Sequence, residues 1–226
     1  MMYSPGPDPE FPYLNENQRF SFPDPSTVKG DIIAIGGNLS PGMLLSAYEQ
    51  GIFPWYNPDD PLLWQSPDPR FVIFPHTLHV SRSMQKLLKR GDFEISFDSN
   101  FDSVIRGCSE ADRPGQGGTW ITEDIIAGYT ELFRLGYVHS AESRQDGVLV
   151  GGCYGVLLNN VFCGESMFAR VSNASKAAFV TLAQYLFKER GVRFIDCQVP
   201  TDHLRSMGGQ VVSRKEFLRL LRDAGA

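Results

Sequence analysis

Two acids stand inside apolar, strand-like runs in the second half of the chain. In VFCGESMF (161–168) alternation places Glu165 on one face with Val161, Cys163 and Met167. In VRFIDCQV (192–199) it places Asp196 and Gln198 on one face with Phe194. An acid on the apolar face of a strand costs several kcal/mol unless it is compensated. Either acid alone fits a hydrogen-bonded structural group as well as a working one. Two acids and a glutamine in neighbouring segments favour a site that handles charge or protons.

The elements that must position these groups are marked along the chain. Ser40–Pro41 reads as an N-cap with proline at the first helical position, opening a short helix that buries Leu44, Ala47 and Tyr48 and stops at Gly51. Residues 51–70 are dense in proline and carry Trp55 and Trp64. Such density forbids long helices and central strands, leaving a shaped loop platform whose rings form either a packed cap or a stacking surface. From Arg70 onward strands and helices alternate. Strands are expected over 71–74 and 93–97. A helix over 81–90, capped by Ser81 and ended by Gly91, sets Arg82, Lys86, Lys89 and Arg90 opposite Met84, Leu87 and Leu88. A solvated face and a phosphate-contacting face both account for that stripe. Thr122 opens a helix burying Ile125, Ile126, Tyr129, Leu132 and Phe133. Segments 147–158 and 161–168 flank Asn159-Asn160, a hairpin signal. Another helix buries Phe179, Leu182, Ala183, Leu186 and Phe187 before Gly191. Ser213-Arg-Lys-Glu216 is a capping box for a last helix burying Phe217, Leu220 and Leu221. The order is α/β of the α+β type, with no GxGxxG or P-loop after any strand.

At 226 residues the chain accommodates one large domain or one with an appendage. The pattern break divides it into 1–68, a small N-terminal domain with the Pro/Trp-rich loop, and 69–226. No window approaches the roughly 18 continuous apolar residues of a membrane span. The N-terminus lacks the basic-then-apolar order of a signal peptide, so the cytoplasm is expected. Cys108, Cys153, Cys163 and Cys197 are widely spaced, and most read as buried hydrophobes. His76, His79, His139 and His203 form no ligand pair, so no metal is expected. Residues 1–68 carry nine acids against two bases, whereas 69–91 carry five bases and no acid. That segregation is a local electrostatic footprint.

The runs GNLSPGMLLSAYEQGIFPWY, WQSPDPR, LHVSRSM, GTWIT, VGGCYGV, FCGESMF, NASKAA and IDCQV occur in the order seen in leucyl/phenylalanyl-tRNA–protein transferases. Over roughly residues 30 to 220 the chain resembles that family. The resemblance implies an aminoacyltransferase that moves Leu or Phe, less readily Met, from aminoacyl-tRNA to the α-amino group of proteins with N-terminal Arg or Lys, making an N-degron. It implies a GNAT-like acyltransferase domain, with a mixed sheet and flanking helices, behind the small N-terminal domain. No cofactor, no membrane and a monomer are implied. Acetyltransferases of that fold hold the CoA pyrophosphate with a glycine-containing loop. Here the corresponding RVSNAS (170–175) has no glycine, which supports a different acyl donor.

Carried over position by position, the catalytic set falls on Glu165, Asp196 and Gln198. The side chains around the donor's amino acid and terminal adenosine fall on Trp55, Trp120, Cys153 and Met167, and the tRNA-facing helix on Arg82, Lys86, Lys89 and Arg90. Cys153 stands where better-known members carry methionine, and Gln65 replaces a second tryptophan. The donor is an activated ester and the nucleophile an amine, so no strong base is needed. Gln198 is then a positioning or polarising group oriented by Asp196, while Glu165 holds an ammonium or helps draw off its proton. An acetyl-CoA-dependent N-acetyltransferase, a non-catalytic tRNA-binding module and a Cys163 or Cys197 nucleophile are the competing readings.

Overall fold

In a computed structural model of the chain, which describes residues 4–111 and 119–225, the signals above resolve into two sheets with flanking helices. Residues 4–31 carry no helix or strand. Then follow β1 (Ile32–Ile35), α1 (Pro41–Glu49), β2 (Phe53–Pro54) and β3 (Leu63–Gln65). The proline-dense run is therefore not all loop, because β3 is the middle strand of a small antiparallel sheet. Pro61 and Pro67 lie outside it, leaving its own N–H groups free to pair, while Pro54 sits on an edge strand. Ser40 stands at the N-cap of α1 but its side chain does not cap. Its hydroxyl donates to Asn38 and accepts from the Leu14 N–H, fastening the irregular N-terminal segment to the helix.

The larger sheet and its helices follow: β4 (Arg70–Ile73), α2 (Arg82–Arg90), β5 (Glu94–Phe97), α3 (Phe101–Glu110), α4 (Glu123–Arg134) and β6 (Val138–Gln145). The chain continues through β7 (Val148–Leu158), β8 (Val161–Ala169), α5 (Ala174–Glu189), β9 (Phe194–Gln198), α6 (Asp202–Ser206), β10 (Gln210–Val212) and α7 (Arg214–Gly225). Ser81, Thr122 and Ser213 accept the backbone N–H groups expected of caps. Several elements lie outside the expected set, among them β1, α3, β6, α6 and β10. Helix α3 runs unbroken through Gly107, where a Cβ would lie 2.7 Å from the Phe168 ring. Strand β6 buries polar side chains, with Glu142 held by the hydroxyls of Ser96, Ser99 and Ser140.

The strand order is β10-β4-β9-β8-β7-β6-β5, a mixed sheet between two helical layers. One apolar cluster lies under α1, α3, α4 and α7, a second mainly under α5, and a smaller third joins Met84 and Phe93 to Val150, Ala174 and Ala177. The first draws Leu44, Tyr48 and Phe53 together with Tyr129, Val156 and Phe217, so it crosses residue 68. Arg214, buried at the start of α7, donates to the carbonyls of Val28, Gly30 and Ser66.

Among the strands of the described residues, β8 and β9 alone run parallel, because α5 carries the chain back between them. Their registered pairs end at Cys163 and Asp196. Strand β8 is also bulged: Tyr154 faces Ser166 while Gly155 faces Gly164, leaving Glu165 as the extra residue. The bulge shifts the alternation. Cys163 and Phe168 join the first cluster, whereas Met167 packs with Phe162 and Phe179 on the other side. The expectation that Met167 shares Glu165's face is thereby corrected.

Gly155 makes room for the bulge, since a Cβ there would come 2.3 Å from the Cys163 carbonyl oxygen. Gly155→Ala should therefore cost about 2 kcal/mol or more in urea denaturation. Unchanged stability would show that the bulge does not depend on that space.

Candidate active site

Beyond the last registered pair of β8 and β9, a cavity of about 650 Å³ opens between the parting strands. Glu165 and Gln198 line it, together with Trp55, Trp120, Cys153 and Met167. Among the described residues Glu165 is the one acid in that lining. His203 also borders the cavity, and burial lowers its pKa, so it is neutral at pH 7.

Glu165 is held from both sides. The Tyr129 hydroxyl donates to its Oε2 at 3.1 Å, and Gln198 Nε2 donates to its Oε1 at 2.9 Å. The Tyr48 hydroxyl is hydrogen-bonded in turn to that of Tyr129. Burial pushes the Glu165 carboxyl up to about 8, against the hydroxyls of Tyr48 and Tyr129; the Asp196 charge adds to the rise and the Arg70 charge opposes it. The two tyrosines are themselves raised well above their ordinary range, first by burial and then by Glu165, so they remain donors. This carboxyl can both give and take a proton near neutral pH.

Asp196 is wholly buried and does not line the cavity. Arg70 grips it side-on, with Nε donating to Oδ1 at 2.9 Å and Nη2 to Oδ2 at 2.6 Å. Asp196 Oδ1 also accepts the Gln198 backbone N–H at 2.9 Å. Gln198 adopts φ 62°, a conformation costly for a residue with a Cβ. The Val199 N–H reaches back to the Cys197 carbonyl at 2.8 Å, closing a three-residue γ-turn about Gln198.

Trp55 and Trp120, 65 residues apart in sequence by subtraction of their numbers, meet at the same cavity. Gln65 Nε2 donates to the Trp55 carbonyl at 2.6 Å and so helps hold that residue at the cavity. Cys153 lies directly across from Met167 on adjacent strands. All four cysteines are buried and unbridged, and burial raises the thiols of Cys153, Cys163 and Cys197. That removes the thiolate a cysteine nucleophile requires. Among the described residues no group of three or more His, Cys, Asp or Glu could hold a metal ion.

The α2 residues lie outside the cavity lining. Arg82, Lys86 and Lys89 are exposed, while Arg90 is paired with Asp92, one residue past the acid-free stretch. Sequence reasoning missed the roles of Tyr48 and Tyr129, which look like core residues of amphipathic helices. Arg70 carries a readable signal, since a cation opening an apolar strand requires a buried partner.

Residues 37–68 match the family described as the leucyl/phenylalanyl-tRNA protein transferase N-terminal domain, and residues 72–222 match leucyl/phenylalanyl-tRNA protein transferase. A leucyl/phenylalanyl-tRNA–protein transferase of Anaeromyxobacter sp. (strain K) is 49% identical over 205 residues, 90% of this chain and 88% of that protein. One of Nitrosospira multiformis is 53% identical over 192 residues, 85% of this chain and 82% of that protein. Among solved structures, a GCN5-related N-acetyltransferase from Kribbella flavida is similar at a TM-score of 0.41 and 13% identity, covering 76% of this chain and 60% of that one.

The raised Glu165 carboxyl ties stability to pH. Its folded value of about 8 exceeds the unfolded value near 4.3, so the folded state binds the proton more tightly. Its contribution is complete below about pH 4 and is lost as pH rises to about 8. Glu165→Gln should therefore be more stable than wild type at pH 9 by roughly 3–5 kcal/mol, with the gap closing near pH 4. Urea denaturation at the two pH values checks this, and a variant weaker than wild type at pH 9 refutes it.

Proposed function

The chain belongs to the leucyl/phenylalanyl-tRNA protein transferase family, and from that premise we propose that it moves Leu or Phe, less readily Met, from aminoacyl-tRNA to the α-amino group of proteins beginning with Arg or Lys. It is an aminoacyltransferase whose substrates are an aminoacyl-tRNA and an acceptor protein. The product carries an N-degron, and the reaction takes place in the cytoplasm by a monomer. No helix among the described residues is long and apolar enough to cross a membrane. Residues 1–68 and 69–226 are read as the small N-terminal domain and the catalytic domain.

The observation that carries the chemistry is the lone cavity acid, poised at about 8 between two hydrogen-bond donors. An α-amino group titrates near 7.7–8.0, so proton exchange with Glu165 is nearly balanced. The neutral amine attacks the ester carbonyl, and the carbon–nitrogen bond forms as the carbon–oxygen bond to the ribose breaks. Glu165 takes the proton released by the attacking amine and returns it to the departing ribose oxygen. Gln198 and Tyr129 fix the carboxyl for that exchange. Trp55 and Trp120 offer flat faces for the terminal adenosine. Cys153, Met167, Phe162 and Phe179 give an apolar seat for the donated side chain. Such a seat discriminates by only about 1–3 kcal/mol per methylene, which suits acceptance of Leu, Phe and Met together.

Transfer of labelled leucine from charged tRNA to a peptide beginning with Arg, with an acetyl-capped copy as control, tests the reading. Label on the free peptide alone is expected, and absence of label from every charged donor would refute it. Glu165→Gln should lower kcat by about 10²- to 10⁴-fold with tRNA binding retained. A variant with normal kcat would remove Glu165 from the mechanism.

The exposed cations of α2 are read as phosphate contacts. Replacing Lys86 and Lys89 with Ala should flatten the salt dependence of tRNA binding by about one to two units. An unchanged slope returns that face to solvent.

A further inference from the structure

Arg70 has the geometry of a residue that acts at the site without entering it. Its side chain is 1% exposed and its guanidinium lies between two rings, 4.8 Å from the Phe53 centroid and 4.3 Å from that of Phe217. Those rings come from β2 and α7, far apart in the chain, and Phe53 also lines the cavity. The fork of Nε and Nη2 on Asp196 fixes both carboxylate oxygens. Oδ1, so fixed, receives the Gln198 N–H and holds the residue in its left-handed turn. From that turn the Gln198 amide reaches Glu165 Oε1. A free chain abandons such a conformation for a commoner one, so the turn needs an outside hold.

We infer that Arg70, clamped between Phe53 and Phe217, is a positioning residue of the transfer reaction, fixing Asp196 so that Gln198 is presented to Glu165. The inference rests on the aminoacyl-transfer reading above. A lysine could supply the charge at this position but not the side-on fork or the flat face between two rings.

The same chain of contacts adjusts the charge balance at Glu165. The groups around its carboxyl are Tyr48 from α1, Tyr129 from α4, Cys163 from β8, Asp196 and Gln198 from β9, and Arg70 from β4. Of the two ions, Arg70 lowers the Glu165 pKa and Asp196 raises it. Replacing Asp196 by Asn removes the raising charge and leaves Arg70 positive, so the Glu165 titration falls, which a merely structural defect does not do.

The experiment compares kcat, KM and the pH dependence of kcat for leucine transfer in wild type, Arg70→Met, Asp196→Asn and the double variant, with melting curves for each. Wild-type transfer establishes the underlying reading; without it, that reading fails before Arg70 is tested. Given wild-type transfer, each single variant should lose at least about tenfold in kcat with KM for the charged tRNA within about twofold. The pH midpoint should fall in Asp196→Asn, where Arg70 keeps its charge. A midpoint that stays fixed or rises in Asp196→Asn overturns the inference. If a single variant fails to fold, the double variant carries the test, since it leaves no lone buried ion. Its kcat should still be at least about tenfold low, because the amide that replaces the Asp196 carboxyl has no guanidinium fork to fix it. A double variant with wild-type kcat would overturn the inference.

Discussion

A carboxylate taken wholly out of water must find opposite charge and hydrogen bonds within reach, and the Arg70–Asp196 pair meets that demand at the centre of this fold. Neighbouring strands β4 and β9 bring the two together, and rings from β2 and α7 cover the guanidinium. The desolvation of two ions offsets much of their attraction, so the pair adds little net stability. Removing either partner alone, by contrast, leaves a bare ion where no water reaches. The arrangement therefore specifies geometry: the parallel strands part where their last registered residue, Asp196, is gripped from the far side.

Glu165 shows the complementary solution. It has no cation against it, and its environment favours the neutral acid until pH reaches about 8. Two buried ionisable carboxyls one strand apart thus have opposite fates, set by their neighbours rather than their chemistry. The ion-paired one shapes the backbone, and the one left unpaired exchanges protons with what enters the cavity.

The sequence made the capped helices, the hairpin at Asn159-Asn160 and the pair of strand acids legible, because each rests on local rules of turns, caps and alternation. The bulge at Glu165 was not legible, because one extra residue reverses a period-two pattern and only Gly155 and Gly164 hint at it. Simple alternation therefore puts Met167 on the wrong face. Strand β6 escaped for another reason: its buried face is polar, and burial of Glu142 is offset by hydroxyls that arrive from other segments. Within the site, Trp55, Trp120, Cys153 and Met167 came from the family resemblance, and all line one cavity with Glu165 and Gln198. Spacing could not have united them. The tyrosine pair and Arg70 lie in apolar surroundings where a polar tip looks incidental until its partner is known.

The ties of Arg214 bear on how the protein is made. Its guanidinium binds carbonyls of Ser66, Gly30 and Val28, which precede it by 148, 184 and 186 positions. A ribosome working from the N-terminus releases those carbonyls long before it adds their partner. The cover over the buried guanidinium of Arg70 likewise waits for Phe217. Contacts so distant in sequence close late and slow the search for the native state. The cover of the catalytic cleft is therefore incomplete in an emerging chain until α7 has been made.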